Sequence, residues 1–456
     1  MENQKKKTYG LSAFTPLFVF LAIYLGSGIL FALLGYGGDS FKQIPRTAAL
    51  VAALLVCLCM GGKERNLEYR MDTFCKGAAD ANTMIMVVIF LLAGAFSGVA
   101  SAMGGVEATA NLGLTFVPQQ FIFAGIFIIS AFVATAMGTS MGTISAIGPI
   151  AVAVAEGAGV SLAVALGSVL GGAMFGDNLS MISDTTIAAT RGAGAEMRDK
   201  FKMNGLIALP AALIAIVIYC LVGSGGELAG AYEYSLIKIL PYIVVLVTAL
   251  IGLNVVLVLL LGTIVAGVIG FATGSLTLAT YSAGITDGIS GMASIIIVTI
   301  ILRGLTGIAK EYGGIDWLVE KMGKHMHTRR SAEYGMCLLT GLVDMSMGNN
   351  TMAILVSAPL AMRFARKFNI SRKRVASLLD ISACVFQSFI PHGGQLMLGI
   401  SMTGLSPFAL IAASYYPILL GLATIVTIQF GLLKTKEEKN GISLYPEGEE
   451  EAAAAE

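Results

Sequence analysis

Long apolar stretches, separated by short polar, glycine-rich or charged connectors, run through most of this chain. They lie at about 11–35, 45–62, 80–103, 121–155, 161–190, 204–222, 235–252, 254–275, 290–309, 331–361, 375–400 and 408–432. A helix needs about 20 predominantly apolar residues to cross the hydrocarbon core of a bilayer. The pattern therefore predicts an all-α polytopic membrane protein.

Composition agrees with this prediction. Of the 456 residues, 56% are hydrophobic and only 12% are charged, whereas soluble proteins carry about 25% charged residues. The 55 glycines allow transmembrane helices to pack closely and some of them to break. The net charge of +1 gives no sign of nucleic-acid binding, and the six scattered cysteines have no metal-binding spacing. No cofactor is predicted.

A weak internal repeat appears at an offset of 210 residues. Residues 137–140 (MGTS) align with 347–350 (MGNN), and 176–184 (GDNLSMISD) with 386–394 (FQSFIPHGG). This register predicts that the second half of the chain duplicates the first. The aligned segments mark equivalent polar interruptions in otherwise apolar stretches.

Charge on two equivalent connectors predicts that the repeats are inverted. The connector at 363–374 carries six basic residues, whereas its counterpart at 156–160 carries one acid and no base. Cytoplasmic loops collect Lys and Arg, so these connectors should lie on opposite sides of the membrane. Inverted repeats with broken helices near the midplane are a common plan of secondary transporters.

The predicted topology is about ten transmembrane helices plus two re-entrant hairpins, with broken helices at mid-membrane and both termini in the cytoplasm. Twelve full spans are the alternative, but they would place the basic and acidic connectors on the same side. The first repeat is predicted at 1–203, with its hairpin at 121–155 and its broken helix at 161–190, followed by a linker helix and outer loop at 204–234. The second repeat and the final helix are predicted at 235–433, with the hairpin at 331–361 and the broken helix at 375–400. A cytoplasmic tail at 434–456 follows.

The stretch FGDNLSMISDTT at 175–186 places two aspartates inside an apolar segment. Charged side chains at bilayer depth are costly, and those that persist usually line an ion pathway. Carboxylate and hydroxyl oxygens suit Na⁺, and a proton competes with Na⁺ for the same carboxylate. A structural aspartate pair at exposed helix ends is the alternative. The predicted cation site combines residues of this stretch with residues of the first hairpin tip. They are Asp177, Asn178, Ser180, Ser183, Asp184, Thr185, Thr186, Thr139, Ser140 and Thr143.

The second half holds a matching set of polar residues. It is predicted to form a second ion site or an organic-solute site; helix caps and satisfied structural groups are the alternative. The set comprises Asp344, Asn349, Asn350, Thr351, Gln387, Ser388 and His392, with Gln395 nearby. Arg303 is interpreted as a side chain that snorkels to the cytoplasmic interface, with anion binding as the alternative.

These motifs resemble a known family. GDNLSMISDTT resembles the GD-x-x-S-P-x-SDTT signature of the NhaC family of Na⁺/H⁺ antiporters, and MGTSMGT and FQSFIPHGGQL are similar to further family stretches. The resemblance covers about 80–400 and implies paired inverted repeats, re-entrant hairpins and an ion site at Asp177–Thr186. Met181 stands where the family commonly has proline, and His392 where it commonly has tyrosine.

The predicted function is secondary active exchange of Na⁺ for H⁺ across the cytoplasmic membrane by alternating access. The alternative is a Na⁺- or H⁺-coupled transporter of an organic solute such as an amino acid or carboxylate, because the family includes such carriers. Enzymatic activity is not expected, since the GxSxG match at 138–142 lacks the strand context of a nucleophile elbow. The predicted partners are lipid, Na⁺ and H⁺, and analogy with related carriers suggests a homodimer.

Overall fold

The computed structural model describes residues 9–36, 40, 43–61, 65–108, 111, 118–180, 183–223, 234–251, 253–324 and 326–445. Within these ranges the chain forms helices and no β-strand. The all-α prediction is therefore confirmed.

The first half begins with a short 3₁₀ helix at Gly10–Phe14. Its α-helices are α1 (Thr15–Leu33), α2 (Arg46–Cys59), α3 (Leu67–Ala78), α4 (Ala81–Ala102), α5 (Gln119–Met137), α6 (Ser140–Ala158), α7 (Leu162–Leu179), α8 (Asp184–Ala193) and α9 (Met197–Val222).

The second half continues through helices of 4 to 34 residues. They are α10 (Leu236–Leu250), α11 (Val255–Ala272), α12 (Leu278–Glu311), α13 (Gly314–Gly323), α14 (Arg329–Met347), α15 (Asn350–Lys367), α16 (Arg372–Gln387), α17 (Gly394–Thr403), α18 (Pro407–Ala413), α19 (Tyr415–Gln429) and α20 (Lys436–Lys439).

Six helical segments in the described part of the chain are long and apolar enough to cross a membrane. They are Gly10–Leu33, Thr83–Ala102, Ser140–Ala158, Leu162–Ala193, Met197–Val222 and Leu278–Glu311. The pair α17 and α18, bent by 109°, would make a seventh span. The chain is thus a multi-pass membrane protein, and the count of ten spans plus two hairpins stays a prediction.

The predicted hairpin tips are tight reversals between contacting helices, α5 with α6 and α14 with α15. Gly138 and Gly348 end the first helix of each pair in the left-handed region, with φ of 67° and 57°. Glycine adopts this conformation without the steric cost of a Cβ atom. The next residues, Thr139 and Asn349, cap the second helices by accepting hydrogen bonds from the N–H groups of Gly142 and Met352.

Helix boundaries follow the 210-residue offset seen in the sequence. Both ends of α5 and α14 differ by 210 residues, as do both ends of α8 and α17. The inversion of the two repeats stays a prediction. The predicted repeat border at 203 lies inside α9, which begins earlier, at Met197.

Both predicted broken helices are interrupted. In the first, α7 ends at Leu179 and α8 begins at Asp184; Met181 lies outside the described residues. In the second, α16 ends at Gln387 and α17 begins at Gly394, with Pro391 between them. A proline has no backbone N–H to continue a helical ladder. These interruptions bring polar side chains, and backbone groups that make no helical hydrogen bond, into the protein interior.

Helices α4 and α12 pack through glycines spaced four apart. A Cβ atom at Gly98 would lie 2.0 Å from the Gly284 carbonyl oxygen, and one at Gly288 would lie 2.0 Å from the Gly94 carbonyl oxygen. Such small-residue spacing lets two membrane helices approach closely.

We expect Gly98→Val to force the helices apart and to lower the thermal unfolding temperature of the detergent-purified protein. Gly291→Val on α12, where the added side chain meets open space, is the matched control; equal stability of the two variants would contradict this packing argument.

Candidate cation site

Both hairpin tips and both helix breaks line one cavity of about 140 Å³. The predicted site residues that line it are Thr139, Ser140, Asp177, Asp184, Thr185, Asn349, Asn350, Thr351 and Gln387. Segments far apart in the sequence therefore meet at a single polar centre.

Asp177 is the buried carboxylate of this cavity, with 3% of its surface exposed. The Ser183 hydroxyl donates to one of its oxygens, and the Ser140 hydroxyl of the first tip also hydrogen-bonds it. The Ser183 oxygen lies 2.9 Å from the Thr185 hydroxyl oxygen. Asp184 lines the same cavity but is exposed. A carboxylate among hydroxyl oxygens can hold a hard cation or, in its place, a proton.

Three predicted residues lie behind the cavity and shape the first break. The Asn178 carbonyl oxygen accepts hydrogen bonds from Lys200 Nζ at 2.8 Å and Asn204 Nδ2 at 3.2 Å. The Thr186 hydroxyl donates to the Ser180 carbonyl oxygen at 2.8 Å and lies 2.6 Å from Lys200 Nζ. These contacts satisfy backbone and hydroxyl groups that the broken helix leaves open. Asn178, Ser180 and Thr186 thus support the break without lining the cavity.

A buried ion pair anchors this region, and sequence reasoning missed it. Lys200 Nζ lies 2.7 Å from Asp380 Oδ2, and the two side chains are 1% and 0% exposed. Asn204 Nδ2 donates to the same Asp380 oxygen at 2.8 Å. In the sequence Lys200 stands beside other basic residues, Arg198 and Lys202, and nothing there indicates that it is buried. Asp380 inside the apolar stretch 375–400 was the available signal, because an acid within a membrane helix usually has a partner.

The side-chain amides of Gln387 and Gln395 lie between Asp344 of the second half and Asp177 of the first. With its nitrogen toward Asp344, the Gln387 amide donates to both carboxylate oxygens, at 2.8 and 3.0 Å. The other end of the Gln387 amide lies 2.6 Å from Gln395 Oε1, and Gln395 Nε2 donates to the Ser140 oxygen at 3.3 Å. Ser140 in turn bonds Asp177. A series of close polar contacts therefore joins the two predicted site regions.

The cavity has a cationic side as well. Arg303 of α12 lines it, and Nη1 of this guanidinium donates to the Met347 carbonyl oxygen at 2.7 Å. Nη2 lies 3.7 Å from Met86 Sδ. The side chain turns into the protein, so the interpretation that it snorkels to the interface was wrong. The sequence does not indicate the direction in which the Arg303 side chain extends, because that direction depends on where α12 packs.

The remaining predicted residues do not line the main cavity. His392 Nε2 lies 3.1 Å from the Met345 carbonyl oxygen, and the ring borders a neighbouring cavity of about 20 Å³. The Ser388 and Thr143 hydroxyls donate to carbonyl oxygens four residues earlier in their own chain segments, at 2.8 and 2.9 Å. Asp344 is fully buried behind Gln387.

An all-helical membrane protein whose broken helices meet at a central polar cavity has the architecture of a secondary transporter. The family model described as the Na⁺/H⁺ antiporter family matches residues 9–224 and 229–435. The chain belongs to the Na⁺/H⁺ antiporter family, and its resemblance to NhaC antiporters is confirmed.

Curated relatives agree with this membership. The chain is 23% identical over 424 residues to the Na⁺/H⁺ antiporter NhaC of Alkalihalophilus pseudofirmus, covering 84% of this chain and 89% of that protein. It is 25% identical over 451 residues to NhaC of Bacillus subtilis, covering 90% and 96%. A malate-2H⁺/Na⁺-lactate antiporter of Bacillus subtilis is 28% identical over 185 residues, covering 40% and 39%. These similar proteins are antiporters, and one of them is named for organic acids.

Proposed function

We propose that this protein exchanges Na⁺ for H⁺ across the cytoplasmic membrane by alternating access. The observation that carries the proposal is Asp177, a buried carboxylate in a broken helix that accepts hydrogen bonds from Ser183 and Ser140 at a cavity. Membership of the Na⁺/H⁺ antiporter family supports the same ions.

Competition at Asp177 would produce the exchange. The charged carboxylate, with the hydroxyl oxygens of Ser140 and Thr185, would bind Na⁺ from the cavity. A proton on the same carboxylate removes its negative charge, so the attraction for Na⁺ falls and the ion leaves. Because one ion replaces the other, the loaded protein carries Na⁺ in one direction and H⁺ in the other. Movement of the two hairpin tips would open the cavity to each side of the membrane in turn.

The test is proton movement in proteoliposomes that contain a pH-sensitive dye. Na⁺ added outside should enter in exchange for internal H⁺, so the internal pH should rise. Choline added at the same concentration controls for ionic strength and should produce no change. A pH response that is the same for Na⁺ and choline, or no response to either, would contradict Na⁺/H⁺ exchange.

Coupled transport of a small carboxylate is a second candidate, favoured by Arg303, which lines the same cavity as the amides of Asn350 and Gln387. Guanidinium groups bind carboxylates well. The volume of about 140 Å³ is close to that of a roughly 150 Å³ protein cavity that holds benzene, which has six carbons. The organic-acid relative points the same way. In the same liposomes, a Na⁺-dependent pH change that appears only with lactate or malate would favour this candidate over simple exchange.

A further inference from the structure

The 210-residue offset allows the cation site of the first half to be compared with the equivalent positions of the second. The counterpart of Asp177 is Gln387, and the counterpart of Ser140 is Asn350. Both second-half residues line the shared cavity. The second half thus presents neutral amides where the first presents a carboxylate and a hydroxyl. Its negative charge comes instead from Asp344, which is 0% exposed and bonded by Gln387.

A positive charge already occupies this half of the cavity. Arg303 Nη1 donates at 2.7 Å to the carbonyl oxygen of Met347, the last residue of α14 and the neighbour of the tip residue Gly348. Carbonyl groups at a helix C-terminus carry partial negative charge. The guanidinium also interacts electrostatically with Asp80, at the start of α4, and with Asp344. The groups that interact with it include carbonyl and carboxylate oxygens, the kinds of ligand that a mobile cation would use.

We propose that Arg303 is a tethered cation that occupies the second-half counterpart of the Na⁺ site and limits each chain to one bound Na⁺. An arginine stays charged under all physiological conditions and cannot dissociate, so it balances Asp344 throughout the transport cycle. Only the Asp177 half is then left to exchange ions. The inference rests on the proposed Na⁺ site at Asp177, and it assigns Arg303 the role of setting the number of transported ions.

A purely mechanical role makes a different prediction. If Arg303 only ties the second tip to α12, its loss would loosen the tip without creating an ion site. Arg303→Gln separates the two roles, because the glutamine amide is neutral but keeps N–H donors for the Met347 carbonyl oxygen. Arg303→Met removes both the charge and the donors. Arg303→Lys keeps the charge and is the control.

The experiment is equilibrium binding of radioactive Na⁺ to the full chain in lipid nanodiscs, with monodispersity checked by size-exclusion chromatography. The wild type and Arg303→Lys should bind one Na⁺ per chain, and Arg303→Gln and Arg303→Met should bind two. Adding Asp344→Asn to Arg303→Gln should return the number to one. Binding of one Na⁺ by both the wild type and monodisperse Arg303→Gln would overturn the proposal.

The same measurement separates this inference from the proposed function. If the wild type binds no Na⁺ but Arg303→Gln binds one, Arg303 is a tethered cation and the site at Asp177 is wrong. If neither protein binds Na⁺, both proposals fail. Asp177→Asn combined with Arg303→Gln should keep one Na⁺, at the second-half site; loss of all binding in that variant would contradict an independent second site.

Discussion

Asp177→Asn is expected to abolish Na⁺-driven proton movement while leaving the fold intact. Asparagine has nearly the shape of aspartate but carries no negative charge and takes up no proton. Two unit charges 4 Å apart attract each other by about 4 kcal/mol at an effective dielectric constant of 20. Since 1.4 kcal/mol is a factor of ten, loss of this attraction would weaken Na⁺ binding by roughly a thousandfold. The exchange site would lose both of its ions at once.

The measurement combines the internal pH dye with uptake of radioactive Na⁺ in the same proteoliposomes. Asp72→Asn is the matched control, because Asp72 lies on α3 in an exposed ion pair with Lys76 at 2.6 Å. This control should exchange at the wild-type rate. Asp184→Asn completes the series, since Asp184 lines the cavity but is exposed. Full exchange by Asp177→Asn together with its loss in Asp184→Asn would move the ion site to Asp184.

Lys200→Met is expected to lower the free energy of unfolding by about 3 to 5 kcal/mol, the usual cost of removing one partner of a buried ion pair. The substitution would leave the fully buried Asp380 carboxylate without its cation. It would also remove the hydrogen bonds from Lys200 to the Asn178 carbonyl oxygen and the Thr186 hydroxyl. Because these groups belong to the first helix break, exchange should slow as well.

Unfolding in detergent, followed by the intrinsic fluorescence of the protein, measures this effect. Lys202→Met is the matched control, since Lys202 lies on the same helix and is exposed. The double variant Lys200→Met/Asp380→Asn should recover part of the lost stability, because it removes the unbalanced carboxylate. If Lys200→Met were as stable as Lys202→Met, the buried pair would contribute nothing to the fold.

Local sequence signals were sufficient for the helical class, for the chain reversals at the predicted hairpin tips and for the polar surroundings of Asp177. Apolar stretches of membrane length predict helices, and glycine followed by a capping side chain predicts the reversals at Gly138 and Gly348. An aspartate within an apolar stretch is conspicuous because its burial is costly. The physical cause of each feature lies within a few residues of chain. For that reason these features can be predicted from the sequence.

The partners of those residues depend on how distant helices pack, and only the tertiary structure decided them. Lys200 pairs with Asp380, 180 residues away, and Gln395 reaches Ser140, 255 residues away. Arg303 turns to the second tip because α12 lies against it. The sequence by itself determined which side chains are too polar for lipid. The tertiary structure decided which of them share a cavity, because a buried charge or amide is satisfied by whatever group the fold brings within hydrogen-bonding distance.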